Sequence, residues 1–312
     1  MHDQAIRALG FAAPPGRSLS PNDLWMAWTV EPWVVIPLLL TILIYVWGTY
    51  NVWKRAGVGH GITTRQWISF VGAVVVLILA LMSPLDLLSD DLFSAHMVQH
   101  LMLMLVAAPL LVVSDFQLAL LWALPRHRAQ QIGSGFNQSR PVSGAWRVFN
   151  QPAFVWIAFT LAMWLWHAPL LYQAALESEM IHTLEHLTFL VTAMLFWWVL
   201  FKHNRPDHVH YAMTIPLLFL TVLQSGILGA LMTFTEQPWY PYYATVANPF
   251  GLMPLQDQQL AGLIMWIPGG TVFTLLTIGY FAAWLRALER HSLQLEHKDL
   301  LRTRQDWISK RE

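Results

Sequence analysis

Runs of about twenty apolar residues, separated by short polar stretches, limit what this chain can fold into. A helical run of that length spans the hydrocarbon core of a bilayer, where every backbone group must be satisfied within the segment. The runs lie at about 33–53, 67–82, 92–113, 152–172, 180–201, 211–234 and 258–285. Composition agrees with them. Of 312 residues, 56% are hydrophobic and 12% charged, against about 25% charged in a soluble domain. The 17 tryptophans suit the aromatic belts at a membrane surface. The expectation is an all-α, polytopic membrane protein with seven transmembrane helices.

The polar remainder sets the organisation. Residues 1–30 are expected to form an N-terminal extramembrane arm, 31–285 the seven-helix membrane domain, and 286–312 a charged, helix-compatible tail. A basic start, apolar centre and small-residue cleavage site are not evident in the arm, so no cleavable signal peptide is expected. The apolar piece 118–124 is too short to span and is expected at the interface. The loop QPWYPYYATVANPFGLMP (237–254) is expected against the headgroups, or as a docking surface. No internal repeat and no Gly-rich nucleotide loop is apparent, the net charge is zero, and no nucleic-acid partner is implied.

Lysine and arginine orient the spans. Lys54, Arg55 and Arg65 follow run one. Arg126, Arg128, Arg140 and Arg147 follow run three. Lys202 and Arg205 follow run five, and Arg286, Arg290, Lys298, Arg302, Arg304, Lys310 and Arg311 follow run seven. With seven spans all of these share one face, and only Arg7 and Arg17 of the 18 basic residues lie opposite. The expected topology is N-terminus outside, C-terminus cytoplasmic.

On that topology the histidines gather at one level, just below the outer surface. His96 and His100 are four apart in one run, His182 and His186 four apart in another, so each pair shares a helix face. His167 lies in the outer part of run four, and Asp257 begins run seven on the same side. Ionisable groups in a membrane helix are costly and raise a functional hypothesis by default. Neutral imidazole is a ligand for copper, zinc and iron. With no cysteine in the chain, thiolate sites are excluded, and the candidate metal ligands are His96, His100, His167, His182, His186 and Asp257. Met97, Met102, Met104 and Met180 lie nearby; thioethers favour Cu(I), although methionine is also ordinary helix filler. His60, His127, His203, His208 and His210 fall in basic loops and read as solvated.

Three other readings stand beside a copper site. H-T-L-E-H (182–186) matches the H-x-x-E-H pattern in which two histidines bind zinc and Glu185 is the general base of a membrane metalloprotease. Facing histidines of runs three and five suit bis-histidine haem in an electron carrier. The imidazoles also suit a hydrogen-bonded packing cluster without metal.

SPLDLLSDDLFSAHMVQHLMLMLVAAPLLV, WLWHAPLLYQAAL, HTLEHLTFLVTAMLFWW and DQQLAGLIMWIPGG, in this order, resemble the CtaG family of membrane-bound cytochrome c oxidase assembly factors, the type associated with caa-type oxidases. The resemblance covers about residues 33–285. A single-span, cysteine-bearing copper chaperone shares the family's name but not these features. The resemblance implies a non-enzymatic role in forming active haem–copper oxidase in the bacterial plasma membrane. It implies oxidase subunits or other assembly factors as partners, and copper as cargo. The motif residues it carries over are His96, His100, His167, His182, His186, Asp257 and Trp266.

Overall fold

The computed structural model describes residues 28–125, 127–128, 130–131, 144, 146, 148–201, 208–246 and 250–309; of 208–209 and 302–309 it describes the backbone alone. Most of the arm, His203, and the side chains of His208 and of Arg7, Arg17, Arg126, Arg140, Arg147, Lys202, Arg205, Arg302, Arg304, Lys310 and Arg311 lie outside the described residues.

Among the described residues there is no strand. The helices are α1 (Pro32–Ala56), α2 (Thr64–Leu81), α3 (Pro84–Asp91), α4 (Phe93–Val113), α5 (Phe116–Ala123), α6 (Pro152–Trp166), α7 (Pro169–Glu177), α8 (Glu179–Phe201), α9 (His208–Phe234) and α10 (Pro254–Ser309). Six of them, α1, α2, α4, α8, α9 and α10, are long and apolar enough to cross a membrane. The pair α6–α7 makes a seventh if the two count as one broken span.

Local chemistry starts and stops these helices. Thr63 and Gln66 form a reciprocal capping box on α2. Ser83 accepts from the Leu85 amide, with Pro84 opening α3. The expected unbroken run 152–172 is instead bent by 71° between α6 and α7. Ala168 precedes Pro169, whose ring disfavours a helical conformation there, and Ala168 is extended at φ −66°, ψ 130°. His167 is thereby left at the C-terminal cap of α6. At the far end α10 runs on through residue 286 into the charged stretch as one helix of 56 residues.

α4 is the centre of the bundle: 56% of its most apolar stretch is buried, against 17% in α1. One core packs α4 against α6, α8, α9 and α10 through Met104, Phe159, Phe189, Trp197, Leu218 and Met265. A second packs α4 against α1 and α2 through Tyr45, Phe70, Leu77 and Leu103. α9 and α10 meet at Gly229 and Gly262, where an added Cβ on Gly262 would lie 2.7 Å from the Gly229 carbonyl oxygen. Small residues permit that approach. The short piece expected at the interface is α5, which closes on α1: a Cβ on Gly48 would lie 2.0 Å from the Ala119 oxygen.

Candidate metal site

The histidine pairs lie where α4 and α8 face each other. Within α4 the turns widen to a π-helix over Met102–Ala107, with only Leu101 between it and His100. Such widened turns recur at functional sites. Here the Met104 carbonyl is satisfied from α8, whose Trp197 Nε1–H donates to it at 2.8 Å. The head of α4 is held from α10. Both carboxylate oxygens of Asp257 accept backbone amides there, Phe93 N at 2.6 Å and Ser94 N at 3.2 Å.

This frame brings four of the six expected ligands together. The Nε2 atoms of His96 and His100 are 2.8 Å apart. The rings of His182 and His186 lie 5.1 and 5.6 Å from that of His96, and His186 lies 5.2 Å from His100. Between the pairs stands Glu185, fully buried, with its oxygens 3.7 Å from His96 Nε2 and 3.7 Å from His100 Nε2. Two ligand sets result, each with donor atoms within 4.8 Å of one another: His96 with His182 and His186, and His96 with His100 and Glu185. His182 is the partly exposed member, while the rest are buried.

Hydrogen bonding fits this cluster to an ion. Buried polar atoms are normally paired. Yet His96 Nδ1, His100 Nδ1, His182 Nε2, His186 Nε2 and both Glu185 oxygens find no hydrogen-bond partner among the described residues. A cation bound by imidazole nitrogens and a carboxylate would satisfy several of these atoms at once. A packing cluster leaves them costly.

The other two expected ligands stand apart. His167 is 6.3 Å from His100, ring to ring, and its Nε2 is 3.4 Å from Met97 Sδ. Asp257 spends its carboxylate on the α4 amides, so it holds the helix that carries His96 and His100. The sequence singles out Glu185 as the general base of the H-x-x-E-H pattern, not as a ligand. Its place on the ligand face follows from the spacing 182, 185, 186, which puts all three on one side of α8. Met97 is one of four methionines that the sequence places near the histidines, and nothing in the sequence sets it apart from the other three. Among the histidines read as solvated, His60 and His127 are exposed, but His210 is 7% exposed. α9 begins at His208, ahead of the expected start at 211, and turns His210 inward.

The loop after α9 also departs from expectation. Two of its three tyrosines fold inward over the cluster: Tyr240 and Tyr243 are buried. Tyr240 donates to the His167 carbonyl at 2.8 Å, and the Tyr243 hydroxyl meets that of Tyr172 at 2.8 Å. Phe93 packs on both rings, at 4.8 Å from Tyr240 and 5.2 Å from Tyr172. Trp239 N, donating to Gln258 Oε1 at 2.6 Å, ties the loop to α10. An aromatic layer thus separates the imidazoles from the loop side.

Together these features define a multi-helix membrane protein with a buried imidazole–carboxylate cluster. The family model of the cytochrome c oxidase caa3 assembly factor matches residues 43–287, a stretch that contains every helix but the ends of α1 and α10. The chain belongs to the cytochrome c oxidase caa3 assembly factor family. No curated protein and no solved structure matches it.

Proposed function

We propose that this protein binds copper at the histidine cluster and hands it to the haem–copper oxidase during assembly. The observation that carries the reading is the convergence of His96, His100, His182, His186 and Glu185 with unpaired donor atoms inside a membrane bundle. Family membership supplies the oxidase; the ligand chemistry supplies the metal. A set of imidazoles without thiolate suits copper that must move on to another histidine site. His167 is a secondary ligand, and Asp257 a support for α4. The partners are oxidase subunits or other assembly factors.

The protein is a seven-span protein of the bacterial plasma membrane, with α6–α7 as one broken span. Its cluster faces the outside, its arm (1–30) is outside, and its tail (286–312) is cytoplasmic. Two observations weigh against the rival chemistries. Glu185 stands among the ligands, 3.7 Å from two imidazole nitrogens, and is fully buried, a poor place to activate water as a protease base. The rings of His96 and His186 lie 5.6 Å apart, with His100 and Glu185 between the two helices, which favours an ion over a haem macrocycle.

The test is elemental analysis of detergent-purified protein beside a variant with His96 and His100 both changed to Ala. Near-stoichiometric copper in the parent, lost in the variant together with cellular oxidase activity, is the expected result. Unchanged copper content and oxidase activity would sink the proposal. Zinc would return the hydrolase, and iron with a Soret band the haem carrier.

A further inference from the structure

We infer that Met97 and His167 form a second, soft subsite beside the histidine–glutamate cluster, selective for Cu(I). The inference rests on the copper reading above and adds to it a sulfur ligand, a place and an oxidation state.

The argument begins with a tautomer. His167 Nδ1 lies 2.6 Å from the Met163 carbonyl oxygen. A carbonyl only accepts, so Nδ1 carries the proton and donates. In the neutral ring Nε2 is then a bare lone pair. That lone pair faces the thioether of Met97 at 3.4 Å, and a thioether has no proton to give. Two acceptors therefore meet in a dry interior, with Met97 1% and His167 2% exposed. The alternative is a second proton on His167. It would place an imidazolium where, among the described residues, no carboxylate lies within ion-pair distance, and burying an unpaired charge is costly.

A Cu(I) ion resolves this arrangement. It is soft, accepts thioether and imidazole together, and tolerates few ligands, whereas Zn(II) prefers nitrogen, oxygen or thiolate. Binding at His167 Nε2 displaces no proton, because the ring proton stays on Nδ1. The pair is also built rather than accidental. The His167 amide donates to Met163 O at 3.3 Å, and its carbonyl accepts from Tyr240. Met97 sits three residues before His100, on the same face of α4. His100 is a member of the deeper ligand set and the cluster histidine nearest His167. An ion at His100 therefore has the soft pair as its neighbour.

The test uses Cu(I) itself on the full-length protein in detergent. Binding is read by competition with bicinchoninate and by X-ray absorption. Met97→Leu keeps the volume and apolarity and removes the sulfur. The expected result is a copper–sulfur contribution in the parent that is absent in Met97→Leu. Cu(I) affinity should fall at least tenfold, and by several times more than Zn(II) affinity. A parent that binds Cu(I) with nitrogen and oxygen neighbours alone overturns the inference and leaves the copper reading standing. So does Met97→Leu with the parent's Cu(I) affinity. A parent that takes up no Cu(I) overturns the inference, and one that takes up neither Cu(I) nor Cu(II) overturns the copper reading with it.

Discussion

Asp257 shows how much a single residue can do at a distance. It lies 164 residues from Phe93 in sequence, yet its carboxylate replaces the side-chain cap that α4 lacks. An anion at a helix N-terminus gains both from the free amides and from the helix dipole. Asp257→Ala is expected to lower stability by about 1–2 kcal/mol. It should also weaken copper binding, because the turn bearing His96 loses its anchor. Asp257→Asn keeps one acceptor and should fall between parent and alanine variant in both melting temperature and copper affinity. If Asp257 were instead a direct ligand, copper affinity would collapse in Asp257→Ala with no change in melting temperature. The same residue marks where sequence reading stops. The histidine pairs were visible because i, i+4 spacing is local and survives in one helix. The capping role of Asp257 and the pairing of Met97 with His167 are tertiary facts, and no spacing rule reaches across 70 or more residues.

At the scale of elements, the short helix α3 carries a different kind of information. Asp86 bridges three segments. Its carboxylate accepts from Thr29 Oγ1 at 2.8 Å and from Gln99 Nε2 at 2.9 Å, tying the residues before α1 and the middle of α4 to α3. Burial pushes its carboxyl up to about 6, in spite of those two hydrogen bonds, which pull it down. Glu31 is pushed up to about 7, chiefly by burial and then by the charge of Asp86. The sign of the linkage follows. Below about pH 4 Asp86 is protonated in both folded and unfolded chains. As pH rises toward 6 the unfolded chain ionises first, so stability falls through this window and then levels. Thermal melts of detergent-solubilised protein should therefore show a melting temperature that drops from about pH 4 to about 7, Asp86 contributing up to about 6 and Glu31 and Asp90 up to about 7. Asp86→Asn retains an acceptor for Gln99 and a donor for Thr29. It should remove the Asp86 share of that drop and be more stable than the parent at pH 7.5, by an amount on the order of 1–2 kcal/mol after discounting for partial exposure. An Asn variant with the parent's slope would show that other groups set the dependence. The acidic loop was plain in the sequence as a break between spans. Its folding into a helix that clamps Gln99 was not, because eight residues are too few for hydrophobic periodicity to register.

The whole molecule carries its charges at two ends. Glu31, Asp86, Asp90 and Glu179 come from the start of α1, from α3 and from the start of α8; after burial, the charges of Asp86 and Glu179 add to the rise of the Glu31 and Asp90 carboxyl groups. Arg55, at the other end of α1, sits 5.6 Å over the Trp122 ring of α5, and Asn51 donates to the Trp122 carbonyl. The carboxylate end is the histidine end, since α3 and the start of α8 flank His96 and His182. The basic end is the one that the distribution of lysine and arginine assigns to the cytoplasm. Six of the spans can be read from hydropathy because each of those apolar runs forms a helix long enough to cross alone; the fourth run is broken after His167, which hydropathy does not sense, and it makes a seventh only if α6 and α7 count as one. Reporter fusions decide the orientation. Alkaline phosphatase joined after Glu312 should be inactive and green fluorescent protein there fluorescent, while phosphatase inserted in the loop after Thr245 should be active. That pattern places the histidine cluster at the outer surface, where copper reaches it through the partly exposed His182 without crossing the bilayer. The opposite pattern would put the same cluster on the cytoplasmic side. Copper would then have to be loaded from the cytosol, and the seven-span orientation proposed here would be wrong even if every ligand were right.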